Sequence, residues 1–145
     1  MSALELLRLP ADLGSLTEVR RFLRQKGAVL PEDQDALEEL VHAVDEVVTN
    51  IVVHGYRGRR GYIEIELGPD TDALVIRLRD QAPPFDPTEV PSPDVASPLE
   101  KRGAGGLGVF LTRRLVDEMT YRPLPQGGNE LTLVKRITRR RGGGP

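Results

Sequence analysis

The stretch Leu37–Tyr56, LEELVHAVDEVVTNIVVHGY, decides the fold, because it admits two readings. Its second half is rich in β-branched residues, which suits a strand locally. Leu37, Leu40, Val41, Val44, Val48, Ile51 and Val52 nevertheless recur at the three-and-four spacing of one helix face. That period is unbroken from Leu37, so helix is favoured over strand. The spacing predicts a helix over roughly 32–54, opened by Pro31 and capped at its end by Gly55.

The flanking segments fit around this helix. ALELLRL, residues 3–9, reads as a first strand, punctuated by Pro10 and Gly14. Ser15 reads as the N-cap of a helix LTEVRRFLRQK, with Gly27 as its stop. After the long helix, GYIEIEL sets Ile63, Ile65 and Leu67 on one face, and ALVIRLRD does the same with Leu74, Ile76 and Leu78. Gly68, Pro69 and Asp70 make the expected turn between them. Residues 81–104 hold six prolines and no period, the signature of a long loop. A helix from about Gly106 to Glu118 follows, and then two closing strands, TYRPL and NELTLVKRI, around the turn PQGGN. Strand, two helices, two strands, helix, two strands is the order of an α+β, two-layer sandwich: a mostly antiparallel sheet with helices on one face.

At 145 residues the chain suits one domain, read as 1–138 with a basic, glycine-rich tail at 139–145 expected to be flexible. Its 39% hydrophobic and 29% charged residues predict a globular fold. A formal net charge of -2 gives no global push toward nucleic acid. Without cysteine, neither disulfides nor a thiolate metal site can form. No apolar run approaches the roughly 18 residues of a membrane span, and the first residues do not make a signal peptide. A cytoplasmic protein is the expectation.

Two glycine motifs overlap in RGAGGLGVFLTRRLVDEM, Arg102–Met119. Gly103, Gly105 and Gly108 spell a dinucleotide fingerprint, but VPSPDVASPLEKR before them cannot be the strand that motif requires. A P-loop needs Lys and then Ser or Thr after its last glycine, where Val109 and Phe110 stand. What survives is the physics beneath both: glycines ahead of a helix N-terminus let backbone N–H groups approach an anion. A bare hinge before a helix is an equal reading of the glycines alone.

Two polar features need a reason. Glu46, Asn50 and His54 form a stripe at four-residue spacing, flanked by Val47 and Val53, which suits a partly enclosed cleft as well as a solvated face. Asn50 offers a neutral oxygen suited to Mg²⁺, and Glu46 one turn away can serve as a general base for a hydroxyl. His54 suits a capping or structural hydrogen bond. Asp80 shares parity with Leu74, Ile76 and Leu78, so a carboxylate ends an inward face and needs a partner: an arginine, or a ligand amino group such as that of adenine. Pro83 and Pro84 stiffen the turn that follows, and Phe85 can cover an apolar ligand face.

EVVTNIVVH, RDQAPPFDP and GGLGVFLTRRLVDEM stand in one order, and that order resembles the GHKL ATPase superfamily. It is most similar to the anti-sigma-factor serine/threonine kinases, over about residues 8–138. The resemblance implies a Bergerat-type ATP-binding sandwich that uses ATP and Mg²⁺. It implies Glu46 as general base, Asn50 as Mg²⁺ ligand and Asp80 as partner of the adenine amino group. Gly105, Gly106, Leu107 and Gly108 would lie at the phosphates, with residues 91–104 as the lid. Arg102 stands near, but two residues upstream of, the family's arginine, and Thr132 is the candidate for its terminal threonine. Ala82 and Pro84 replace the glycines usual after the aspartate. The implied function is a kinase acting on a small anti-anti-sigma (STAS-like) regulator, with a sigma factor as the controlled target and a homodimer possible. The alternative is a non-catalytic module of the same fold that docks a regulator. A third reading, an ATP-hydrolysing domain from a larger sensor, lacks a phosphoacceptor-histidine helix.

Overall fold

A computed structural model describes residues 5–27, 33–70, 72–89 and 106–137. Five strands form one antiparallel sheet: β1 (Glu5–Pro10), β2 (Tyr62–Asp70), β3 (Ala73–Asp80), β4 (Glu118–Pro123) and β5 (Asn129–Arg136), in the order β1-β2-β3-β5-β4. Three helices accompany it: α1 (Leu16–Gly27), α2 (Gln34–Asn50) and α3 (Gly106–Leu115). The α+β sandwich read from the element order is therefore the observed architecture.

Parity decides which sheet face meets the helices. Ile63, Ile65 and Leu67 of β2, Leu74, Ile76 and Leu78 of β3, and Leu131 and Leu133 of β5 are all buried. They share one core with Val19, Phe22 and Leu23 of α1 and with Leu37, Leu40, Val41, Val44 and Val48 of α2. The other face is charged. Arg77 and Arg79 pair with Glu66, and Arg79 and Arg122 pair with Glu130.

The helix starts differ in detail from the sequence reading. Ser15 does not cap α1; its hydroxyl donates to the Pro10 carbonyl, and Asp12 accepts from the Gly14 N–H to open a short 3-10 turn before the helix. Asp33 caps α2 by accepting from the Ala36 N–H, while Pro31 lies outside the described residues. The end of the long helix holds a larger departure. Gly55 does not stop it: residues Ile51–Tyr56 widen into a π-helical turn, closed by Arg57 in the left-handed region at φ 55°. A single π turn inside a helix is uncommon and concentrates at functional sites.

The β2–β3 reversal also moves. Gly68, Pro69 and Asp70 belong to β2, paired with Val75, Leu74 and Ala73, so the chain reverses between Asp70 and Ala73. Among the described residues β1 pairs β2 as far as Leu67, so Pro69 has a described neighbour strand on its β3 side alone, where proline is tolerated. α3 ends at Leu115, three residues before the expected Glu118, which opens β4. The tail 139–145 and the lid 91–104 lie outside the described residues.

Candidate functional site

The register brings the site together. Asp80 is the last residue of β3 and stands opposite Asn129, the first of β5. Both are buried, at 6% and 7% exposure. Among the described residues no arginine meets the Asp80 carboxylate. Its Oδ1 accepts from Asn129 Nδ2 at 2.9 Å and from the Ala82 N–H at 2.9 Å. Its Oδ2 takes no hydrogen bond among the described residues. Burial pushes the Asp80 carboxyl above the usual aspartate range, against the lowering effect of those two donors.

Asn129 is the hub of this end. Beyond Asp80, its amide donates to the Ala82 and Pro83 carbonyls, and its Oδ1 accepts from the Phe85 N–H at 3.0 Å and the Tyr121 hydroxyl at 2.6 Å. It thereby fixes the whole turn 82–85 that carries Ala82 and Pro84 in place of glycines. Ala82 is accommodated because it packs on Gly55 of the π turn, where a Cβ would come within 3.1 Å of the Ala82 Cβ. The β4–β5 hairpin is equally constrained: Gly128 at φ +103° lies directly against the Asp80 carbonyl, with no room for a side chain.

Glu46 and Asn50 project from α2 beneath the first turn of α3. A Cβ on Gly108 would lie 3.0 Å from Glu46 Oε2 and 3.3 Å from Asn50 Nδ2, so any side chain there would make both shift by a few tenths of an ångström. The other Glu46 oxygen lies 3.7 Å from His42 Nε2. Arg113 of α3 donates to the carbonyls of Pro87 and Thr88, which ties the turn after Phe85 to the same helix.

Between these groups lies a narrow slot of about 50 Å³, walled by Val47, Ile51, Val109, Met119 and Leu131, with Asn50, Asp80, Thr112, Tyr121 and Asn129 among its polar lining. Half-exposed Phe85 stands at the boundary with a wider mouth of about 440 Å³, lined also by Asn50, His54, Arg57 and Arg59. The arrangement brings a buried carboxylate, Asp80, and an amide, Asn50, to one slot, with the Glu46 carboxylate beside it at the first turn of α3.

Of the residues singled out from the sequence, Asn50, Asp80 and Phe85 line the slot, and Glu46 and Gly108 meet beside it. Gly106 and Leu107 begin α3. Arg102 and Gly105 lie outside the described residues. Thr132 does not join the site: it is opposite Arg77 in the ladder, on the charged outer face, while its neighbours Leu131 and Leu133 point inward. His54 is exposed at the π turn, and its carbonyl, not its ring, takes a hydrogen bond from Arg57. Asn129 and Tyr56 were missed. Their importance depends on pairings across 49 and 25 residues, for which the only local signal is a polar residue at an inward position of β5.

The chain matches the model of the histidine kinase-like ATPase domain over residues 9–135. The serine-protein kinase RsbW of Listeria monocytogenes serovar 1/2a is 36% identical over 90 residues, which are 59% of this chain and 57% of that protein. The match thus spans little more than half the length of that relative. RsbW of Bacillus cereus strain Q1 is 34% identical over 117 residues, 78% of this chain and 73% of that one. In three dimensions, a solved structure of the RsbU and RsbW domains of a Mycobacterium tuberculosis protein superposes with a TM-score of 0.63 at 21% identity. It covers 95% of this chain and 33% of the other.

Proposed function

We propose that this chain, which belongs to the histidine kinase-like ATPase domain family, binds Mg-ATP and transfers the γ-phosphoryl group to a serine or threonine of a small anti-anti-sigma (STAS-like) regulator. A sigma factor is the target controlled. The observation that carries the reading is the meeting of Glu46 and Asn50 beneath Gly108, beside a slot that Asn50 and Asp80 both line. The serine-protein kinase names of the relatives support the same class.

The roles follow from chemistry. A buried carboxylate oxygen without a protein donor fits an exocyclic amine, so Asp80 recognises adenine. The slot is narrower than a purine, so the base enters as Phe85 gives way at the mouth. Asn50 supplies one hard oxygen, and no group of three or more His, Cys, Asp or Glu fit for a metal occurs among the described residues. That suits Mg²⁺, which takes few protein ligands and draws the rest from phosphates and water. When bound, the ion offsets phosphate charge. The α3 N-terminus, with Gly106, Leu107 and Gly108 in its first turn, is where the phosphates would bind, and Gly105 and Arg102 precede it in sequence as further candidates. Glu46 takes the proton of the attacking hydroxyl.

The test is transfer from labelled ATP to purified STAS-like domain proteins. Wild type labels a serine or threonine; Glu46→Gln keeps ATP affinity and leaves the substrate unlabelled. Undiminished labelling by the variant removes Glu46 as the base. ATP binding without transfer by the wild type points instead to a docking module.

A further inference from the structure

We infer that Tyr56 is a positioning residue for nucleotide recognition: its hydroxyl sets where the Asp80 carboxylate stands relative to the helix that carries Glu46 and Asn50. This rests on the proposed role of Asp80 toward adenine and adds how that role is enforced.

The ladder between β2 and β3 pairs Ile63 with Asp80. One step further, Tyr62 and Gln81 would face each other and bond directly. They do not. The Tyr56 hydroxyl stands between them, donating to the Tyr62 carbonyl at 2.7 Å and accepting from the Gln81 N–H at 2.8 Å. The phenol therefore replaces a rung of the sheet. It parts the two strands just beyond Asp80 and turns the chain into the Gln81–Phe85 segment that closes the slot.

Tyr56 reaches this place through the π turn. It is the last residue of Ile51–Tyr56, one turn and a half beyond Asn50, and only 5% exposed. Its ring lies against Gly61, where a Cβ would overlap ring carbons. Both hydrogen-bonding functions of the hydroxyl are used within the protein, so it has no capacity left for a ligand. The group that is held is the peptide adjoining Asp80, and the group that holds it is covalently continuous with the helix of Asn50. A displacement of one is thereby passed to the other through the Tyr56 side chain.

Tyr56→Phe keeps the ring and removes the bridge. Calorimetric titration of the full chain with Mg-ATP and, separately, Mg-GTP reads the outcome. The variant is expected to lose about five- to tenfold in ATP affinity, the worth of one or two hydrogen bonds, with GTP affinity unchanged, so that selectivity falls. Gly61→Ala, which displaces the same ring without touching the hydroxyl, is expected to lower selectivity in the same direction. Unchanged selectivity in both variants overturns the assignment, whatever happens to their thermal midpoints, because a merely structural tyrosine moves stability alone. A wild type that binds no ATP overturns the nucleotide reading and this assignment with it, whereas a wild type that binds beside an unaltered Tyr56→Phe overturns this assignment only.

Discussion

Replacing Asp80 by asparagine is expected to stabilise the empty protein while disabling it. The side chains are nearly isosteric, and the asparagine oxygen can keep both donors now on Oδ1, Asn129 Nδ2 and the Ala82 N–H. What changes is the free position. An acceptor becomes an N–H₂ group that would face the adenine amine donor to donor. A hydrogen bond to a charged acceptor is worth about 1.5–3 kcal/mol, so ATP affinity should fall by about one to two orders of magnitude. Stability moves the other way. Burial raises the Asp80 carboxyl in the folded state, so the folded state holds the proton more tightly than the unfolded chain does. That contribution is complete below about pH 4, the ordinary aspartate value, and is lost as pH rises through the raised native value, at up to about 1.4 kcal/mol per pH unit. The variant has no such loss. Thermal unfolding without nucleotide, from pH 4 to 8, should show Asp80→Asn overtaking the wild type as pH rises. A variant that is less stable at pH 7, or that binds ATP as tightly as before, refutes the reasoning.

Three other outcomes follow from the geometry. Gly128→Ala forces a side chain onto the Asp80 carbonyl at φ +103° and should cost about 1–3 kcal/mol in chemical denaturation. Gly108→Ala places a methyl 3.0 Å from Glu46 Oε2; it should leave the unfolding midpoint nearly unchanged and slow phosphoryl transfer by about ten- to a hundredfold. Glu130 is pushed up by burial but held below the usual glutamate range by Arg79 and Arg122. Its stabilisation is present above about pH 4.3 and lost as pH falls through the depressed native value. Glu130→Gln should therefore be most destabilising near neutrality, with the gap to wild type closing in acid urea titrations.

The parts of the fold that repeat locally were legible. The apolar period from Leu37 to Val52 identified α2, and alternation in β2 and β3 assigned every inward leucine and isoleucine correctly. Asp80 was legible for the same reason: parity alone placed a carboxylate on the buried face. The π turn was not, because its residues have the same preferences in an α-helix, and the extra residue per turn is imposed by packing around Gly55, Ala82 and Tyr56. Asn129 was not, because its role needs the β3–β5 register rather than any local motif. Thr132 shows the converse. Its candidacy rests on the family resemblance alone, while the alternation of Leu131 and Leu133 puts it on the outer face.

The most direct test is calorimetric titration of Mg-ATP into the wild-type chain. Saturable binding of one nucleotide per chain, weakened by about one to two orders of magnitude in Asp80→Asn and retained in Glu46→Gln, is the predicted result. Absence of binding by the wild type, or equal binding by all three proteins, would contradict it.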